Sequence, residues 1–391
     1  MIRRMMSMKV KKSAALLLAA VMLLSLLAGC GAEPQAAAET AAPVTEASVQ
    51  ETTAAPAEAG TRIITDMAGR QVEIPAEVTR IATLESTARV VTYAGAADRI
   101  VGLADMEKEG SAGMPYAYVN HERFADLPGV QPGGPSGEYY DEALATLAPD
   151  LIFTIYGDMD ALNTMEQKLG IPVIALAFQG VFCDSLYEAI QLVGEVMGTQ
   201  DHAADVVDHM KAWQKDLDDR TRDIPEDQKP TVYAGAVSFR GGHGIEGTYA
   251  NYPPFQAINA VNVVDETGEK GAVMIDKEKI VVWDPDIIFL TPGNMHFVND
   301  DYKVNPALYD NLSAVKNGKV YSQVSYNYFY TNVELAIADA YYAGSVIYPG
   351  QFADVNFEEK AEEIFTVMLG QPYLEIMEAN GDFFGPITIG K

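Results

Sequence analysis

The sequence predicts an α/β protein of two lobes joined by one long, stiff helix. Three observations carry that prediction. Short runs that are apolar throughout, such as LIFTI (151–155) and PVIAL (172–176), alternate with helical patterns. This is the grammar of a parallel sheet covered on both faces. The series occurs twice, and one echo ties the copies together. Leu147-Ala148-Pro149-Asp150-Leu151-Ile152-Phe153 is matched by Trp283-Asp284-Pro285-Asp286-Ile287-Ile288-Phe289. In each, proline stops a short helix and aspartate solvates the turn before a buried strand. Between the copies, 200–224 holds no Gly or Pro and keeps a helical period at Ala203, Val206, Val207, Met210, Trp213 and Leu217. A helix of about 25 residues is a rod of roughly 35 Å.

The elements follow in order. RIITD and QVEIP flank a Gly-containing turn and read as a β-hairpin. RIATL (80–84) and RIVGLAD (99–105) are strands, with a helix from 87 between them and Ser86 at its N-cap. EYYDEALATLA (138–148) is an amphipathic helix, and a helical pattern at 159–169 separates LIFTI from PVIAL. In the second copy, TVYAGAVS (231–238), DIIFL (286–290) and KVYSQV (319–324) are strands. PPFQAINA (253–260) and NVELAIADAYYAGSVIY (332–348) are helices.

The start of the chain gives an address. Residues 1–12 are basic and Ser13–Ala28 carries no charge, the pattern of a secretory signal. The apolar run is shorter than the ~20 residues a spanning helix needs. It ends in Leu27-Ala28-Gly29-Cys30, which resembles the bacterial lipoprotein lipobox. That resemblance implies cleavage before Cys30, a lipid thioether on its sulfur, and an extracytoplasmic protein anchored to the cell membrane. Residues 31–60 hold no aromatic residue, no Leu, Ile, Lys or Arg, and five Glu. Such a stretch cannot bury enough apolar area to offset ordering entropy, so a flexible tether is expected. The expected domains are a signal at 1–29, the lipidated Cys30 and tether at 30–60, a first lobe at 61–183, a helical connector at 184–225 and a second lobe at 226–391.

Charge and cysteine count exclude several classes. Without the five basic residues of 1–29, 22 basic residues face 55 acidic ones, a net charge of −33. Such a surface repels phosphate backbones and anionic headgroups, so neither nucleic acid nor a bare lipid surface is an expected partner. Two cysteines, Cys30 and Cys183, exclude a disulfide framework and a Cys-rich zinc site. Phosphate-loop, HExxH, GxSxG and GxGxxG patterns are absent.

Ligands of open α/β sheets bind outside the carboxyl ends of strands, and those loops hold the candidate residues. His243 and His296 each follow a buried strand. Arg89 and Arg240 also stand at strand ends, where each could neutralise an anionic ligand. Tyrosines crowd in the loops, at Tyr116, Tyr118, Tyr139, Tyr140, Tyr249, Tyr252 and in Tyr326-Asn327-Tyr328-Phe329-Tyr330. They suggest a recess for a large ligand with flat faces.

Taken together, the lipobox and tether, ITDMAGRQVEIP, RIATL, RIVGLAD, APDLIF, a long helix, HGIEGTYANYPPFQAINAVNVVD and DPDIIFLTPG resemble, in that order, a known family. They resemble the substrate-binding lipoproteins of ABC importers for ferric siderophores, haem and cobalamin. The resemblance implies two Rossmann-like α/β lobes joined by one long rigid α-helix, with the ligand in a cleft between them. It implies no catalysis and no resident cofactor. It implies a monomer that delivers its metal chelate to an ABC permease and its ATPase. A ferric siderophore is the default ligand, then haem or a corrinoid. Arg89, Tyr139, Tyr140, Arg240, His243, Tyr249, Tyr252, His296, Tyr326, Tyr328 and Tyr330 fall in the implied ligand-binding loops. Asp160 falls where the family places a permease-docking acid on the first lobe. On the second, Glu246 is the nearest acid. Two other readings stay open: a bare metal-ion carrier, needing about three His and a carboxylate, and a secreted metalloenzyme using His243, His296 and Glu246.

Overall fold

The computed structural model describes residues 60–134, 137–155 and 157–391. The signal, Cys30 and the tether up to residue 59 lie outside the described residues. The chain enters through β1 (Thr61–Thr65) and β2 (Gln71–Pro75), an antiparallel hairpin with Ile64, Val72 and Ile74 turned inward. Five parallel strands follow: β3 (Ile81–Thr83), β4 (Ile100–Ala104), β5 (Gly129–Gln131), β6 (Leu151–Ile155) and β7 (Val173–Leu176). Their order is β5-β4-β3-β6-β7. The second lobe holds β8 (Thr231–Gly235), β9 (Gly247–Ala250), β10 (Val261–Asn262), β11 (Gly271–Met274), β12 (Ile287–Leu290) and β13 (Val320–Ser322). A parallel sheet runs β10-β8-β12-β13, and β9 and β11 form a separate antiparallel pair.

Both parallel sheets are doubly wound. Strand order reverses between β3 and β6 in the first lobe and between β8 and β12 in the second. The crevice outside such a switch point is the usual ligand position of open α/β sheets. The sequence echo has a structural counterpart there. The short helices Asp141–Leu147 and Lys277–Trp283 each end on a left-handed residue, Ala148 (φ 44°) and Asp284 (φ 42°). The Asp after each proline then staples the neighbouring strand. Asp150 accepts from the Thr79 and Arg80 N–H groups at 2.8 and 2.9 Å. Asp286 accepts from the Thr231 N–H at 2.9 Å. The expected role of these aspartates was solvation; the observed one pins the start of each central strand.

The connector helix spans Gln200–Thr221 and buries Ala203, Val206, Val207, Met210, Trp213 and Leu217, the residues its period marks. Fully burying a side chain of the Val, Leu or Met kind stabilises by about 1.5–3 kcal/mol, so this face holds the rod in place. Arg220 ties the rod to the second lobe through Asp354 at 2.7 Å, and Trp213 Nε1 donates to Glu363 at 2.9 Å. At its start, the Thr199 hydroxyl donates to the Ala94 carbonyl of the first lobe at 2.6 Å.

Several boundaries differ from expectation. β8 stops at Gly235, not 238, because Ala236 turns to φ 56°. The helix expected from 138 begins at Asp141, leaving Tyr139 and Tyr140 in the loop. β5, the β9–β11 pair and the helix Phe357–Leu369 lie outside the sequence reading.

Candidate functional site

A cavity of about 360 Å³ opens where the strand ends of both lobes meet. The first lobe lines it with Ser86 after β3, Ile155 at the end of β6, and Phe178, Gln179 and Gly180 after β7. The second lobe adds Tyr330 and Thr331 from the loop after β13. A neighbouring hollow of about 390 Å³ shares Gln179 and Gly180, but its second-lobe wall is the helix Pro253–Ala257 rather than a parallel-strand end. The first cavity therefore fits the switch-point rule and the second does not.

Glu85 borders the lining. It follows β3 with φ 56°, a left-handed value that glutamate rarely adopts, and its Oε2 accepts from the Ile155 N–H at 3.2 Å. Burial pushes its carboxyl up, against the pull of that hydrogen bond. The Tyr330 hydroxyl is pushed up by burial and by the Glu85 charge.

Arg89 was expected to face a ligand; the structure instead buries it completely, on the helix Thr87–Tyr93. Its Nη2 donates to the Phe329 carbonyl at 2.6 Å and its Nε to Asn332 Oδ1 at 3.3 Å, both on the second lobe. The guanidinium carbon stands 4.6 Å from the Tyr116 ring centre. Two buried carboxyls share the region. Tyr116 donates to Glu107 at 2.7 Å, and Tyr93 donates across the lobes to Glu334. Arg89 is thus the cation of an inter-lobe polar core, and the loop carrying Tyr330 is fastened through it.

Burial pushes Glu107 up to about 7, although Tyr116, the Ala104 N–H and Arg89 all pull it down. A carboxyl raised on folding binds its proton more tightly when folded. Its effect on stability is therefore absent below the unfolded value near 4.3 and grows unfavourable as pH rises toward 7. Relative to wild type, Glu107→Gln is expected to become more favourable between pH 4 and pH 8, because the variant lacks the carboxyl whose ionisation opposes folding. Urea denaturation at both pH values checks this.

The other expected residues fall into three groups. Tyr249, Tyr252 and Tyr326 stack in series, with ring centres 5.9 and 5.7 Å apart. Tyr252 and Tyr326 are buried, so they pack the second lobe rather than line a surface. Arg240 and His243 lie on the loop after β8, and His296 lies in the first turn of the helix Met295–Val304 that follows β12, beside the second switch point. Arg240 is exposed, has φ 50° and has no side-chain partner among the described residues. His243 hydrogen-bonds the Phe239 carbonyl at 2.8 Å and stacks on that ring, while His296 hydrogen-bonds the Gly293 carbonyl at 3.2 Å. Among the described residues, no three His, Cys, Asp or Glu converge as metal ligands. Tyr140 and Tyr328 are exposed. The Tyr140 hydroxyl donates to Asp105 at 3.1 Å, and half-buried Tyr139 has the Lys168 ammonium over its ring. Of the sequence candidates, Tyr330 alone lines the described cavity. Glu85, Phe178 and Gln179 went unmarked and Ser86 was marked only as a helix cap, although the strand-end rule that selected Arg89 points to them as well.

The two docking candidates differ. Asp160 is exposed in the first turn of the helix Met159–Leu169, and its carboxylate has no partner among the described residues. Asp158, not Asp160, caps that helix, accepting from the Asp160 and Ala161 N–H groups at 2.7 and 3.4 Å. Glu246 is drawn inward toward Lys277 at 3.4 Å, which also pairs with Asp301 at 2.8 Å.

Comparison with known proteins agrees with this architecture. Residues 81–325, more than half of the chain, match the family described as periplasmic binding protein, and the chain belongs to that family. It is a substrate-binding protein of the ABC-transporter class, which works outside the cytoplasm. The chain is 24% identical over 326 residues to the molybdate-binding protein MolA of Haemophilus influenzae, covering 78% of this chain and 90% of that protein. It is 26% identical over 285 residues to the ABC transporter substrate-binding lipoprotein YvrC of Bacillus subtilis, covering 72% and 80%. A periplasmic solute binding protein from Veillonella parvula shares the fold with a TM-score of 0.67 at 19% identity, covering 83% of this chain and 97% of that one.

Proposed function

We propose that this protein captures an iron chelate outside the cytoplasm and delivers it to an ABC permease and its ATPase, while a lipid on Cys30 holds it at the cell membrane. It acts without catalysis, without a resident cofactor and as a monomer. The observation that carries the reading is the cavity at the strand ends of both lobes, walled by neutral hydrogen-bonding groups and aromatic faces. Such a wall suits an intact chelate, whose metal is already satisfied by its own ligands, better than a bare ion, which would need converging donors. A volume of about 360 Å³ lies at the small end of the range for ligand pockets.

The similarity to MolA raises molybdate as a second reading. Molybdate is an oxyanion, and the described cavity lining holds no basic side chain to meet it. A titration separates the two. Ferric hydroxamate is expected to bind with micromolar or tighter affinity, and molybdate is not. Binding of molybdate alone would overturn the chelate reading.

Docking supplies a test in cells. Asp160 is free to meet a permease arginine, and it is not the helix cap. Asp160→Ala is therefore expected to leave stability and ligand affinity unchanged and to lower chelate uptake severalfold. Normal uptake by a normally expressed variant would remove Asp160 from the docking surface.

A further inference from the structure

We infer that Glu85 sets the charge of the ligand: the cleft takes a metal chelate that carries a cationic group, such as a pendant ammonium, and Glu85 receives that group. The inference rests on the chelate-carrier reading proposed above and adds the substrate class.

Four observations support it. Glu85 is held at φ 56°, where a side chain is strained, directly at the first-lobe switch point. Only one of its carboxylate oxygens has a described partner, the Ile155 N–H. Glu85 forms no ion pair among the described residues. Arg89, the nearby cation, is fully buried and committed to Phe329, Asn332 and the Tyr116 face. A partly desolvated carboxylate without a cation is unfavourable by itself and becomes favourable when a cation arrives with the ligand.

The rest of the wall agrees. The described lining offers hydroxyls, an amide and apolar faces, but no basic side chain. An anionic chelate would meet the Glu85 charge beside that lining and nothing within it to neutralise its own. The net charge of −33 that remains without residues 1–29 also draws cations toward the cleft from a distance and repels anions.

The test uses the full-length protein in detergent and isothermal titration calorimetry. The probes are three ferric chelates: ferrioxamine B, which is monocationic; ferrichrome, which is uncharged; and ferric enterobactin, which is trianionic. Wild type is expected to bind ferrioxamine B at least tenfold more tightly than ferric enterobactin. Glu85→Gln keeps an acceptor for the Ile155 N–H, and it is expected to shrink that preference at least tenfold. A merely structural role would lower all affinities alike and leave the ratio unchanged, which would overturn the inference. Tighter binding of the trianion by wild type would overturn it too, whether or not the variant folds, while leaving the chelate reading standing. Binding of the uncharged chelate alone has the same consequence. Binding of none of the three would overturn both.

Discussion

Arg89→Met is expected to lower stability by about 3–5 kcal/mol at pH 8, because it leaves the buried Glu107 and Glu334 without their cation. The same change removes the ties to Phe329 and Asn332 that hold the second lobe against the first. The loss should shrink as pH falls. Burial already raises both carboxyls, and removing the positive charge raises them further, so acid neutralises them and relieves the unpaired charge. Chemical denaturation of wild type and variant at pH 8 and pH 5 measures both effects. A ligand-facing Arg89, the expectation from sequence, would give the opposite pattern: weaker ligand binding, near-normal stability and no pH trend in the difference.

Once residues 1–29 are removed, Cys30→Ser is expected to abolish membrane attachment. Only a thiol accepts the lipid, and each acyl methylene buried in the bilayer contributes about 0.8 kcal/mol, which serine forgoes. The rest of the described chain offers no substitute. Among the described residues, no helix is long and apolar enough to cross a membrane, and the acidic surface repels anionic headgroups. Detergent-phase partitioning checks this: wild type in the detergent phase, variant in the aqueous phase. Retention of the variant at wild-type level contradicts the lipid anchor.

The fold was legible where local pattern and tertiary burial agree. LIFTI is apolar on both faces because helices cover both sides of its sheet, and it forms β6 over the residues marked. The connector's period names the residues that the structure buries. Legibility failed where the signal is short or non-local. β5 has three residues with a half-polar pattern, and β9 and β11 become strands only by pairing with each other. The end of β8 depends on the turn at Ala236, which nothing in its side chain announces.

The site was legible as a set of loops, not as a set of contacts. The tyrosine-rich loop led to Tyr330, and the strand-end rule led to Arg89, three residues past the cavity-lining Ser86. It could not show that Arg89 faces inward. The groups that decide this, Phe329, Asn332 and Glu334, lie some 240 residues away in sequence. Tyr252 and Tyr326 illustrate the same limit, since an aromatic residue in a loop serves packing as readily as binding. Glu85 escaped notice because an acid beside a strand is ordinary in a chain this acidic; its left-handed backbone and lack of a cation become visible only in three dimensions.

Purification of the full-length protein from its native host, followed by mass spectrometry and metal analysis of what accompanies it, tests the central claim most directly. The account predicts one intact iron chelate per chain, with the metal and its organic ligand in equal amounts. A chain carrying molybdate, or a bare metal ion without a chelator, would contradict it.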